Sequence, residues 1–464
     1  VRKSTLVFTL LLLQACSSND DKKNDTGTGG GHAGASADTS TQAGSGGSGG
    51  DEGGSGGTTA EGGGQSTSTS AGGSTTAGTS GTGGSTTAST GTGWVGSWAT
   101  AQQLTETSNL PPTPPGLTNN TLRQIFQVSI GGPRIRLHFS NEYGSSPVTL
   151  KAVHCAKSVS GHTVDTTTDK PVTFAGAESV TIPASQTVVS DPIDFALAPL
   201  SKVAVSIYFG ETSTEVTGHP GSRTTSYIQT GDGAALASLT SPSTTDHWYI
   251  LSGLDVAAGD TSHAVAILGD SITDGRGSTT NGNNRWPDAL AKRLQGNADT
   301  NQVGVLNQGI GGNAILSGGL GPTAMTRFER DILNQSGVRW AVVFEGVNDI
   351  GYSSGATISA NLINAYSQFV TKARSKGVFI YGATITPFGA NSYYSVAHEE
   401  ARQAVNAWIR AQGNFDAVID FDATVRDPLN EINLLSSYSS DGLHLNPAGY
   451  QKMADSIDLS LFTK

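Results

Sequence analysis

The stretch Leu268-Gly269-Asp270-Ser271-Ile272-Thr273-Asp274-Gly275 decides how this chain is read. An apolar run, 264–268, leads into it, and the sequence then turns abruptly polar and glycine-rich at a serine. A buried strand that ends in a tight turn can present a hydroxyl among backbone amides aimed at the same space. Gly-Asp-Ser is also what an ordinary turn looks like, because small polar side chains bond their own backbone. What lies at the ends of the neighbouring strands has to separate the two readings.

From about residue 261 onward, apolar runs alternate with helical periodicity. Strands are expected at 264–268, 303–307, 341–345, 378–383 and 417–421. Between them, Ile358, Leu362, Tyr366, Phe369, Val370 and Ala373 mark one helix face, and Ala401, Ala404, Val405 and Trp408 mark another. Asn446 is placed to cap a last helix with Pro447 at its first position. Such alternation predicts an α/β domain, a parallel sheet with helices on both faces. In these sheets ligands bind beyond the carboxyl ends of the strands.

Each of the first three strands ends in a small-polar cluster. They are Gly269-Asp270-Ser271, then Asn307-Gln308-Gly309-Ile310-Gly311-Gly312-Asn313, then Glu345-Gly346-Val347-Asn348-Asp349. Glycine lets a ligand approach the backbone amide, and asparagine supplies a neutral N–H donor. A serine beside such donors is what acyl transfer requires, a nucleophile next to groups that stabilise the oxyanion. Near the carboxyl terminus, Asp441 precedes His444 by three residues, a spacing at which the carboxylate fixes the tautomer and leaves the other ring nitrogen for the serine. Asp260 and His263 share that spacing, but His263 opens the first strand. At about 3.3 Å per residue it lies roughly 17 Å from Ser271, at the wrong edge of the sheet. His444 follows the last strand and is taken as the base.

These four blocks, in this order, resemble the SGNH hydrolases, also called the GDSL esterases and lipases. The resemblance spans about residues 262–464 and includes the tail Asn446-Pro447-Ala448-Gly449. It implies a flavodoxin-like parallel-sheet domain with Ser271 as nucleophile, His444 as general base and Asp441 orienting the histidine. It also implies an oxyanion hole made of the backbone N–H of Ser271, that of Gly312 and the side-chain amide of Asn348. Gly312 is preferred to Gly311 because the family glycine closes an Asn-x-x-x-x-Gly pattern, here Asn307 to Gly312. Ile272 stands where leucine is common, an exchange of apolar for apolar. No Gly-x-Ser-x-Gly elbow surrounds this serine, which argues against the α/β-hydrolase reading. Asp270 and Asp349 are expected to brace turns through Asx-type hydrogen bonds.

Residues 94–260 read differently. The runs 134–139, 148–152, 179–182, 187–190 and 203–209 behave as short strands between Gly, Pro, Asn and Ser, and predict an all-β, sandwich-like domain. His138 and His154 lie within strand patterns and are read as surface or packed residues. The polar run 217–227 is read as an ordinary long loop, the other reading being a loop that reaches over the next domain's site.

Ahead of this, the chain cannot fold alone. Much of its 61 glycines falls in 17–93, a stretch almost without aliphatic or aromatic residues and unable to offset its chain entropy. It reads as a disordered Gly/Ser/Thr tether with a mean reach of roughly 45–55 Å. Arg2 and Lys3, an apolar run at 6–13 and Leu13-Gln14-Ala15-Cys16 describe an export signal in residues 1–16. Leu-Gln-Ala-Cys resembles a bacterial lipoprotein box, which implies lipid on Cys16. Cys155, the only other cysteine, has no partner within the chain, which excludes a disulfide framework. The net charge of −11 argues against nucleic acid as a partner. With neither a zinc-type His/Cys cluster nor a phosphate-cradling loop, no cofactor or metal is implied. The expected activity is hydrolysis of small esters or acetylated polysaccharide by an exported, lipid-anchored cell-envelope enzyme, rising through a pKa of about 6–7 as the histidine becomes neutral. A lipase or lysophospholipase, and an inactive glycan-binding protein, are the other readings.

Overall fold

The computed structural model describes residues 93–353 and 357–463. The expected signal segment with Cys16, and the glycine-rich run as far as residue 92, lie outside the described residues. From β1 (Gly93–Ala99) to residue 258 the chain is mostly strand: β2 (Asn120–Gln127), β3 (Gly132–Ser140), β4 (Val148–Ser160), β5 (Thr163–Pro171), β6 (Lys202–Phe209), β7 (Thr217–His219), β8 (Ser226–Thr230) and β9 (Leu251–Ala258). β1, β9 and β3 lie side by side in a five-stranded antiparallel sheet, and β8, β2, β6, β4 and β5 in a seven-stranded one. The alternation in β3 turns Ile135, Leu137 and Phe139 inward, all fully buried. Trp98 of β1 stacks on Phe126 of β2 with ring centroids 4.0 Å apart, so the two sheets share one core.

The second half supplies β10 (His263–Gly269), α1 (Ser271–Asp274), α2 (Trp286–Gln295), β11 (Val303–Gly309), β12 (Val338–Phe344), α3 (Val347–Gly351), α4 (Ile358–Ser375), β13 (Phe379–Ala383), α5 (Val396–Arg410), β14 (Ala417–Ile419) and α6 (Pro447–Asp455). The five strands form a parallel sheet in the order β11-β10-β12-β13-β14. Gly269 pairs with both Gly309 and Phe344, so β11, β10 and β12 end level. The expected apolar stripe of α4 is the one it buries, from Leu362 to Ala373. Asn446 caps α6 by accepting from the Gly449 N–H at 3.0 Å. The last strand is shorter than expected. Asp420 accepts from the Ala423 N–H and starts a helical turn, which sends Phe421 between the Trp286 and Phe344 rings.

The β-rich region and the parallel sheet pack as one compact unit with a continuous core. The Gly96 N–H donates to Ser336 O at 2.9 Å, and Ser129 Oγ accepts from the Val305 N–H of β11 at 2.9 Å. Arg330 reaches across to Glu142 Oε1 and Tyr143 Oη, each at 2.7 Å. Buried polar atoms paired across a boundary fix its register more tightly than apolar contact alone.

Candidate active site

Asp270 opens α1 as its N-cap, its side chain accepting from the Ile272 N–H at 2.9 Å. Ser271 therefore sits at the first helical position, where its own N–H has no intrahelical acceptor. Its hydroxyl lies 2.9 Å from Nε2 of His444. Nδ1 of His444 lies 2.7 Å from Asp441 Oδ2, while Asp441 Oδ1 accepts the backbone N–H groups of Leu443 and His444 at 3.0 and 2.8 Å. With Nδ1–H given to the carboxylate, Nε2 is left to accept from the serine. The three residues singled out in the sequence stand in one hydrogen-bonded chain.

Opposing effects act on the histidine. Burial pushes the His444 pKa down, the Asp441 bond and charge push it up, the nearby cations Arg276 and Arg223 push it down again, and the net direction is down. Burial raises the Asp441 carboxyl, but the His444 bond and charge and two backbone N–H bonds outweigh it and hold Asp441 well below the usual carboxylate range.

Gly312 adopts φ of 70°, the left-handed region that favours glycine. Among the described residues neither its N–H nor that of Ser271 finds an acceptor. Asn348 is buried in α3; its amide donates to Asn313 O at 2.7 Å and leaves one N–H uncommitted. Its oxygen accepts from the Tyr393 hydroxyl at 2.9 Å, which fixes which way the amide faces. Tyr393 was not foreseen from sequence. It arrives on the loop before α5, held by Asn391, whose side chain accepts from the Tyr393 N–H and donates to Asp441 O. Asp349 braces the turn beyond Gly312, accepting from the N–H groups of Ile315 and Leu316 at 2.8 and 2.9 Å. Burial raises the carboxyls of Asp270, Glu345 and Asp349, to about 7 for Asp270 and about 6 for Asp349.

The polar run 217–227 is not an ordinary loop. It begins as β7, and His219 is buried with Nε2 2.9 Å from Oδ1 of Asp274, three residues beyond Ser271. A histidine among glycine, proline and serine carries no periodic signal, so only the fold could pair it with Asp274.

The family model of the GDSL-like lipase/acylhydrolase family matches residues 267–452. These residues form a GDSL-like lipase/acylhydrolase domain. It is the domain of a serine ester hydrolase, and it holds every residue of the hydrogen-bonded chain just described. No curated protein matches the sequence. Among solved structures, a GDSL-like lipase from Bacteroides thetaiotaomicron is 20% identical over 42% of this chain and 85% of its own, with a TM-score of 0.32. A catalytic mutant of an acetylxylan esterase from Geobacillus stearothermophilus is 18% identical over 42% and 91%, at 0.33. A family two carbohydrate esterase from Cellvibrio japonicus is 12% identical over 74% and 87%, at 0.32. The domain assignment rests on the family match.

Proposed function

We propose that this GDSL-like acylhydrolase removes short acyl groups, O-acetyl groups on carbohydrate foremost, through an acyl-enzyme on Ser271. The observation that carries the reading is the Ser271–His444–Asp441 chain standing beside N–H groups that find no acceptor among the described residues. Ser271 Oγ attacks the acyl carbonyl as His444 Nε2 takes its proton. The carbonyl oxygen becomes an oxyanion, held by the N–H groups of Ser271 and Gly312 and by Asn348. The bond to the leaving alcohol then breaks as His444 returns the proton to that oxygen. Water adds to the acyl-enzyme with His444 again as base, releasing the acid and restoring the serine.

The cleft next to the oxyanion elements supports a hydrated substrate. It encloses about 590 Å³ between Leu316, Asp349 and Tyr352 on one side and α4 on the other. Asn361, Asn364 and Gln368 share one face of α4 there, at spacings of three and four residues. Carboxamides donate to and accept from hydroxyls, which suits a sugar better than a fatty chain. Ser271→Ala should lose about 10⁴–10⁶-fold in turnover and all labelling by a fluorophosphonate while staying folded. Near-normal turnover in that variant would overturn the assignment, and p-nitrophenyl ester rates that peak at long chains would favour a lipase.

The same reading takes the enzyme as exported, with lipid on Cys16 and 17–93 as its tether, a view supported by the lipoprotein-like box. Incorporation of an alkynyl fatty acid that is lost in Cys16→Ala tests it.

A further inference from the structure

The run that carries His219 also carries Arg223, and the backbone around this arginine is clamped onto the segment following the nucleophile. Gly221 is pressed so closely on Asp274 that a Cβ there would lie 1.7 Å from its Oδ2. Arg285 Nη1 donates to Ser222 O, the Asn281 N–H donates to Arg223 O at 2.9 Å, and the Thr225 N–H donates to Asn281 Oδ1 at 2.9 Å. The clamped segment in turn abuts the catalytic histidine. A Cβ on Gly277 would meet Leu445 O at 2.4 Å and His444 Cβ at 3.9 Å, and the Tyr450 hydroxyl donates to Arg276 O. One segment thus joins the Arg223 backbone to the His444 side of the site, and the Arg223 charge is near enough to act on both His444 and Tyr450.

Three properties set this arginine apart. Its φ of 51° lies in the left-handed region, uncommon for a long side chain and held only where the surroundings impose it. Its Nε is buried with no hydrogen-bond partner among the described residues, where water would otherwise bond it. Its guanidinium makes no ion pair among the described residues, whereas Arg285, Arg327, Arg330 and Arg402 each pair with a carboxylate. A partly desolvated cation without a counter-charge is unfavourable unless something outside the chain completes it.

Position decides what that partner belongs to. The acyl carbonyl points to Gly312 and Asn348, while His444 hands its proton to the leaving alcohol. A group beside His444 therefore reads the alcohol half of the ester. We infer that Arg223 is a specificity-determining residue that receives a carboxylate on the alcohol half of the substrate, so that the preferred esters are O-acyl groups on an acidic sugar. The inference rests on the carbohydrate-ester reading above. An acidic chain of net charge −11 does not draw in an anionic polymer through its overall field, so the recognition has to be local. Arginine suits it, since its planar fork matches a carboxylate with two parallel N–H bonds.

The test uses the full-length Ser271→Ala protein, so that binding is read without turnover. Titration calorimetry compares methyl glucuronoside with methyl glucoside, and methyl galacturonoside with methyl galactoside, each pair differing only in the carboxylate. In at least one pair the acid should bind about 10- to 100-fold more tightly, as a charge-assisted pair allows. That ratio should fall several-fold between 20 and 500 mM NaCl. It should collapse towards one in Arg223→Gln and survive in part in Arg223→Lys. Equal binding of acid and neutral members, no binding of either, or a ratio untouched by salt and by Arg223→Gln each overturns the inference. Absence of fluorophosphonate labelling and of ester turnover in the unsubstituted protein would sink the esterase reading instead, and leaves the binding comparison to stand by itself.

Discussion

His219 Nε2 lies 2.9 Å from Asp274 Oδ1, with the two side chains only 3% and 1% exposed. The other ring nitrogen faces Ala101 O at 2.9 Å. Both ring nitrogens thus face oxygen atoms, which fixes the imidazole between Ala101 and Asp274. Asp274 closes the short helix that Ser271 opens, and the bond comes from the β-rich region. The nucleophile turn is held from behind by a part of the chain outside the hydrolase domain.

Removing one partner of such a pair strands the other in the interior, at a cost of about 3–5 kcal/mol. His219→Ala should lose about that much stability in urea unfolding. It should also lower kcat by about 10- to 100-fold, because a small displacement of Ser271 degrades its alignment. A variant as stable and as active as the parent would show that the pair holds nothing.

Tyr393 acts on the proposed oxyanion hole through Asn348, whose oxygen accepts from its hydroxyl. Without its hydroxyl the Asn348 amide is held by its bond to Asn313 O alone, but neither Ser271 nor His444 loses a contact. Tyr393→Phe should therefore lower kcat by about tenfold with KM little changed, and Asn348→Ala by about 10²–10³-fold. If Tyr393→Phe instead raised KM alone, Tyr393 would belong to ground-state binding.

The Ser271–His444–Asp441 hydrogen-bonded chain was legible because each member ends a strand or a turn of recognisable composition, and the parallel sheet brings those ends to one edge. Tyr393, His219 and Arg223 were not legible. They act across 45, 55 and 221 residues of chain on Asn348, Asp274 and His444 respectively, separations that only tertiary packing closes. The β-rich region hid two central strands for a related reason. In β2, Arg123 is buried in a run that should alternate apolar and polar, its guanidinium donating to Ser206 Oγ, His162 O and Leu236 O. In β9, Asp255 is likewise buried, paired with Arg136 and His138. Buried charge breaks the period-2 pattern on which strand reading relies.

The pH profile of kcat/KM follows from His444, which must be neutral to accept the serine proton. Burial, with help from Arg276 and Arg223, puts its pKa below 6.5 despite the opposing effect of Asp441. Activity should rise with pH through a midpoint below 6.5. Asp441→Asn removes the opposing charge, so the midpoint should fall further while kcat drops with the loss of the fixed tautomer. Measured between pH 4.5 and 8, a parent midpoint at 7 or above contradicts this account.

Stability should run the other way. Burial raises Asp270 to about 7, Asp349 to about 6 and Glu345 well above its ordinary value, whereas the unfolded chain releases these protons near pH 4. At these three carboxyls the folded state thus holds more protons than the unfolded one between about pH 4 and 7, an excess that the lowered His444 offsets in part below 6.5. Its stability is full below that window and falls as pH rises through it. The depressed Asp441 works in the opposite sense, but only as pH falls below about 4. Thermal unfolding should therefore give a lower Tm at pH 8 than at pH 5. Asp270→Asn keeps an oxygen for the Ile272 N–H while removing one of the raised carboxyls, so the slope between those two values should flatten. An unchanged slope would place the pH dependence elsewhere in the molecule.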